Sequence, residues 1–315
     1  AVVYNYYGWY SLMSVQNLGS SAVDVTVSIT CSNGTVGTLT ELGVPPMASA
    51  HFDLETTIPS GFTSSTSCNG SAEVSGGGED VVVVDNQTAP TGGNTQSYSG
   101  VSAGASKIYV PALYTGYYGW NASVNVRKLG TGTVSVSVSY SDGGSSSCSL
   151  TDLAPSCLLY MPTEHPSAGY FGATMTATGG DIVAVVNAAN GSQAQTYNGA
   201  LDGSGTGTVG IPSVMKSYYG WNTSLTCQNV GSTATSLNVA YDGYPGNAYN
   251  TGSLAVGGTV EILQPTEAFL PNGHQSGATI TANTSGASIA CIVNLNNAGL
   301  MNTGDWSMSY NAFNR

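Results

Sequence analysis

Tyr117-Tyr118-Gly119-Trp120-Asn121-Ala122-Ser123-Val124-Asn125-Val126-Arg127-Lys128 decides how this chain is read. After the tryptophan, Ala122, Val124 and Val126 alternate with Asn121, Ser123, Asn125 and Arg127, the period of two that gives a strand one apolar and one wet face. The head of the stretch, Tyr-Tyr-Gly-Trp, recurs at residues 6–9 and 218–221. The residues after each copy recur as well: SLMSVQNLG (11–19), ASVNVRKLG (122–130) and TSLTCQNVG (223–231). The copies are spaced by 111 residues (6 to 117) and 101 residues (117 to 218), a domain-sized repeat and too long for a solenoid unit. The expected division is residues 1–104, 105–205 and 206–315.

Working outward, VSVSVSY (134–140) alternates again and turns at Ser-Asp-Gly-Gly, as its counterpart turns at Tyr-Asp-Gly (241–243). LLYMPTE (158–164) then matches EILQPTE (261–267), GATMTATGG (172–180) matches GATITANTSG (277–286), and IVAVVN (182–187) matches SIACIVN (288–294). A last strand surrounds Tyr197 or Tyr310, and a lead-in strand, IYVPAL (108–113), precedes the aromatic motif. About seven short strands per repeat, without a helix-length pattern, predict an all-β chain of three tandem immunoglobulin-like sandwiches.

Composition narrows the function classes. Only 7% of the residues are charged, 42 of 315 are glycine, and the net charge is -12. Five basic side chains in all (Lys107, Arg127, Lys128, Lys216, Arg315) give no electrostatic basis for binding nucleic acid or an anionic bilayer. Apolar runs such as residues 81–84 fall far short of the roughly 20 residues of a spanning helix, so membrane insertion is not expected. The start at Ala1, inside a repeat and without a basic leader, suits a secreted protein after signal removal.

Six cysteines fall two to a repeat: Cys31 and Cys68, Cys148 and Cys157, Cys227 and Cys291. There is no C-x-x-C, and His51, His165 and His274 share no repeat position, so one disulfide per repeat is expected rather than a metal site, in an oxidising extracellular setting. Cys227 and Cys291 share the inward phase and are expected to tie the two sheets together across the core. Cys148 and Cys157 would close a short hairpin, and Cys31 and Cys68 would link a strand end to a loop.

Candidate sites are few. Trp9, Trp120 and Trp221 share the phase of buried neighbours and are expected to plug their cores, with a sugar-stacking platform as the alternative. Glu164 beside His165 is the only acid and histidine pair, its counterpart Glu267 precedes Ala268, and it reads as a solvated loop; no catalytic residue, metal or cofactor is expected. Of seven Asn-x-Ser/Thr sequons (Asn33, Asn69, Asn86, Asn121, Asn190, Asn222, Asn283), Asn121 and Asn222 occupy one repeat position and are the candidates for glycan attachment.

The run Ile211-Pro-Ser-Val-Met-Lys-Ser-Tyr-Tyr-Gly-Trp-Asn-Thr-Ser, followed by Cys227-Gln-Asn-Val, resembles a repeat of predicted secreted proteins from filamentous Chloroflexota-type bacteria. The resemblance covers all three copies, the first being the most divergent. It implies a surface location and carries over no catalytic residue.

Two irregularities direct the functional reading. Aligning Trp9 on Trp120 places Ala1 on Ala112, so that Val2, Val3 and Tyr4 are all that remains of a lead-in strand in the first repeat. A sandwich short of an edge strand invites pairing with a neighbour. In the third repeat Val293 to Tyr310 spans 17 residues where Val186 to Tyr197 spans 11, and the added segment brings Leu300, Met301, Trp306 and Met308, with Phe313 beyond. A stub at one end (Ala1 to Tyr4) and an apolar surface at the other make a heterologous, open contact. The expectation is a structural subunit of an extracellular filament or sheath, with itself as partner. An adhesin or carbohydrate-binding surface protein is the alternative.

Overall fold

The computed structural model describes residues 1–89, 93–191, 193–244, 248–267, 270–297 and 305–314. The first repeat holds β1 (Val2–Tyr4), β2 (Tyr10–Asn17), β3 (Val23–Cys31), β4 (Val36–Val44), β5 (Ser49–Asp53), β6 (Cys68–Ser75), β7 (Val81–Ala89) and β8 (Asn94–Ser99). The second holds β9 (Lys107–Thr115), β10 (Asn121–Lys128), β11 (Val134–Tyr140), β12 (Ser145–Leu150), β13 (Ser156–Tyr160), a helical turn α1 (Met161–Glu164), β14 (Gly169–Thr178), β15 (Ile182–Asn190), β16 (Gln193–Asn198) and β17 (Ala200–Leu201). The third holds β18 (Thr208–Lys216), β19 (Trp221–Asn229), β20 (Leu237–Tyr241), β21 (Ala248–Asn250), β22 (Thr259–Leu263), β23 (His274–Ala282), β24 (Ile289–Asn297), β25 (Ser307–Asn311) and β26 (Phe313–Asn314).

All named pairings are antiparallel, and the strands form six sheets, two within each repeat. One of each pair, the lead-in sheet, contains the lead-in strand: β1-β6-β3-β4, β12-β11-β14-β9-β17 and β21-β20-β23-β18-β26. The other, the tryptophan sheet, contains the strand after the tryptophan: β5-β2-β7-β8, β13-β10-β15-β16 and β22-β19-β24-β25. The chain is all-β as expected apart from short helical turns, with more strands per repeat than the alternation alone resolves.

Strand β11 shows why these residues take this form. Val134, Val136, Val138 and Tyr140 are buried while Ser135, Ser137 and Ser139 are exposed, so a strictly alternating sequence has been laid flat on a core. Each repeat builds its own cluster, around Val25, Val27 and Ile29 in the first, Val124, Phe171 and Met175 in the second, and Leu225, Val239 and Ile280 in the third.

The Tyr-Tyr-Gly-Trp motif is the tight turn that enters the tryptophan sheet. Its outer residues bridge (Tyr6 to Trp9, Tyr117 to Trp120, Tyr218 to Trp221), and both central residues are left-handed. The glycines have φ of 78°, 84° and 85°, and Tyr7, Tyr118 and Tyr219 have φ of 52°, 47° and 47°. Two consecutive positive φ values define the hairpin turn whose twist suits antiparallel strands, which accounts for the glycine. The preceding tyrosine takes the same region against its steric preference.

All three cysteine pairs are bridged as expected, but each does different work from that anticipated. Cys227 and Cys291 are register partners on the adjacent strands β19 and β24 of one sheet, with Cα atoms 4.1 Å apart, so they do not span the core. Equal inward phase placed them on one side of a sheet; it could not say whether they share that sheet. Cys148 and Cys157, nine residues apart, lie on β12 and β13, which belong to opposite sheets, and this bridge is the one that ties the two layers. Cys31 ends β3 and Cys68 begins β6, so that link joins neighbouring strands rather than a strand and a loop.

Candidate assembly interface

Strand register makes the three repeats comparable residue by residue. Met13, Val124 and Leu225 pair with Asp85, Val186 and Val293, and these in turn pair with Tyr98, Tyr197 and Tyr310. The three tyrosine hydroxyls donate to the carbonyls of Ala1, Ala112 (2.6 Å) and Ser213 (3.5 Å), which fixes Ala1 as the counterpart of Ala112.

In the second repeat, residues 107–110 of β9 pair with β14 on one side, and Ile108 and Tyr109 pair with β17 on the other. Residues 208–211 of β18 hold the same place in the third. In the first repeat β1 pairs only with Cys68, Asn69 and Gly70 of β6; residues 71–75 pair with β3 on one edge, and among the described residues no strand lies along their other edge. The stub Val2, Val3 and Tyr4 is therefore buried in its own sheet, and the open position lies beyond it. Ala72, Val74, Val81 and Val83 are left half-buried or half-exposed there, whereas their counterparts Ala173, Met175, Ile182 and Ala184 are fully covered. Ser156, on the face of the second repeat that meets the first, differs from its counterpart in the third repeat. Its counterpart Thr259 donates to the Pro111 carbonyl in the lead-in strand at 2.7 Å, while the buried Ser156 Oγ has no hydrogen-bond partner among the described residues.

The repeats pack in one manner, used twice. The tryptophan sheet of each later repeat lies on the lead-in sheet of the one before. Arg127 on β10 reaches Ser71 and, at 3.2 Å, the Glu73 carboxylate on β6; its counterpart Gln228 on β19 donates to the Ala173 carbonyl on β14. Between the second and third repeats Tyr117 donates to Glu261 at 2.6 Å, the Glu261 amide donates to Tyr170 at 2.7 Å, and Asn294 donates to Tyr114 at 2.9 Å. Ile292 belongs to the apolar cluster of the second repeat although β24 is part of the third.

Of the other residues singled out from sequence, Trp120 and Trp221 are half-buried and packed against their cores, and Trp9 is half-buried. Exposure instead belongs to the second tyrosine of each motif: Tyr7 is 86% exposed, Tyr118 76% and Tyr219 85%. Each stands edge-on to the tyrosine before it, with ring centres 4.7 to 4.8 Å apart. The Asn121 and Asn222 side chains accept from the amides of Gly116 and Ser217 at 2.9 Å and brace the same turn. Leu300 and Met301 lie outside the described residues. Trp306 stacks edge-on to Trp221 at 6.4 Å, and Met308 and Phe313 line with Trp221, Pro212, Met215 and Tyr310 an apolar cleft of about 350 Å³. Glu164 and His165 form no dyad: His165 lies against Phe171 and faces Asp142 at 3.2 Å, half-buried rather than solvated.

Asp85 is a buried carboxylate where the other repeats carry Val186 and Val293. It accepts from Ser11 at 3.1 Å and Gln87 at 3.0 Å, and burial holds its carboxyl up at about 6. The folded chain thus binds this proton more tightly than the unfolded chain, whose carboxyl titrates near 4. Stability from this group is greatest below about pH 4, falls as the pH rises to about 6 and is level above it, a difference of roughly 3 kcal/mol. Asp85→Asn is expected to remove that loss, so urea melts at pH 4 and pH 7 should show the variant gaining on the parent only at the higher pH.

No protein-family model matches the chain, and no curated protein matches it. Among solved structures, oxalate decarboxylase from Bacillus subtilis is similar at 10% identity with a TM-score of 0.20, covering 69% of this chain and 68% of that one. An anti-sigma factor domain-containing protein is similar at 10% identity and a TM-score of 0.13, over 69% and 80%. Likenesses this distant carry neither a fold nor an activity across.

Proposed function

We propose that this chain is the structural subunit of an extracellular polymer made of copies of itself, each copy being three immunoglobulin-like domains in series. The contact between successive repeats carries this reading, because it is made twice and one face of each kind, Val82 with Val84 on one side and Pro212 with Gly277 on the other, is exposed or half-exposed. Three disulfides fit an oxidising location outside the cell, and no helix among the described residues is long and apolar enough to cross a membrane.

Size measurement across a concentration series tests it. The expected result is assemblies well above 31.9 kDa. A second reading, glycan capture, is favoured by the exposed Tyr7, Tyr118 and Tyr219, whose left-handed backbone stores strain of the kind found at functional sites. A monomer of constant size that binds glycan, and loses it in Y7A/Y118A/Y219A, would replace the polymer with that reading.

A further inference from the structure

The contact made twice inside the chain leaves one half of itself uncovered at each end. On the tryptophan sheet, Val183 and Val185 of the second repeat are 7% and 4% exposed, and Ala290 and Ile292 of the third are 8% and 0%, because the preceding repeat covers them. Their counterparts in the first repeat, Val82 and Val84, are 41% and 36% exposed, and Leu18, the counterpart of the buried Val230, is exposed beside them. On the lead-in sheet the asymmetry runs the other way. Pro111 and Gly172 of the second repeat are buried under the third, whereas their counterparts in the third repeat, Pro212 and Gly277, are exposed and half-exposed.

We propose that the first repeat of a second copy docks on the third repeat in the register the chain already uses between its own repeats. This rests on the polymer reading above and specifies its contact. The two free faces match in volume and polarity. Ala290 packs on the large Tyr109, whose counterpart on the third repeat is Gly210, so the larger Val82 meets a position relieved of its ring. Gln16, the counterpart of Gln228, reaches the Ala278 carbonyl as Gln228 reaches that of Ala173. His51, the counterpart of Glu261, faces Tyr218 and Gln275, which replace Tyr117 and Tyr170. Pro212 and Met215 also line the apolar cleft of the third repeat, so docking covers its exposed mouth. Because the two faces differ, the contact is head-to-tail and joins successive copies, as an open chain or a ring according to the rotation it imposes.

A covalent trap reads the register directly. The Thr259 Cβ lies 3.1 Å from where a Cβ on Gly172 would sit, so a shift of a few tenths of an ångström brings the pair into the disulfide range of about 3.5–4.5 Å, and the pair across copies is Ser49 and Gly277. None of the native cysteines is free. Mild oxidation of the full-length S49C/G277C variant is expected to give a reducible ladder of dimers, trimers and longer species, while each single variant stops at dimers. G172C/T259C should close within one chain and serves as the positive control. Because a Cβ on Gly277 must displace the Asp242 carboxylate, Val84→Asp provides a second measurement: an exposed substitution that should leave the fold intact and weaken self-association at least tenfold. Assemblies that form without a ladder, and that V84D leaves unchanged, overturn this register while the polymer stands. A chain that stays monomeric at every concentration overturns both.

Discussion

Replacing Ile292 by aspartate is expected to cost roughly 3–5 kcal/mol, the range for leaving a charge buried without a partner. Ile292 is fully buried, and its side chain joins the apolar cluster of the second repeat from a strand of the third. A carboxylate there has no cation to meet, since none of the contacts between these two repeats involves a basic side chain among the described residues. Val185→Asp should act in the same direction at the contact between the first and second repeats. Val84→Asp, at the same strand position in the first repeat, should stay within about 0.5 kcal/mol, as exposed substitutions do. Urea midpoints of the three variants at one pH decide the matter. Equal losses at Ile292 and Val84 would mean that the contact between repeats is not made in solution.

The second large effect is expected from C227A/C291A. In the chain-entropy account a bridge closing 64 residues stabilises by about 4 kcal/mol, and one closing nine residues by about 2.5. Non-reducing thermal melts should therefore rank C227A/C291A below C148A/C157A. The opposite order would show that tying the two sheets together, which only the Cys148 to Cys157 bridge does, outweighs loop length. Either outcome separates two mechanisms that a reduced sample, with all three bridges broken at once, cannot separate.

Much of this organisation was legible in the chain itself. The alternation at residues 122–128 and 134–140 and the threefold Tyr-Tyr-Gly-Trp established strands and repeats, because a period of two and a tight left-handed turn are local properties. The cysteine pairs were legible for a similar reason, two per repeat. The candidate faces were not. Residues 81–84 are four valines in a row, and the signal for an additional contact was that the run does not alternate, as befits a strand covered on both sides. The exposed Tyr7, Tyr118 and Tyr219 were hidden behind the tryptophans, because phase alone does not tell which ring of a turn faces water.

Sequence by itself determined that this is an all-β chain of three copies with one bridge in each, since those features come from period, repetition and parity. Only the tertiary structure decided which cysteines share a sheet, and that Val82 and Val84 are bare where Val183, Val185, Ala290 and Ile292 are covered. The physical reason is the same in both cases. Alternation fixes the side of a sheet to which a residue points, but what lies on that side is set by the packing of whole sheets against one another, which is not a property of any local stretch.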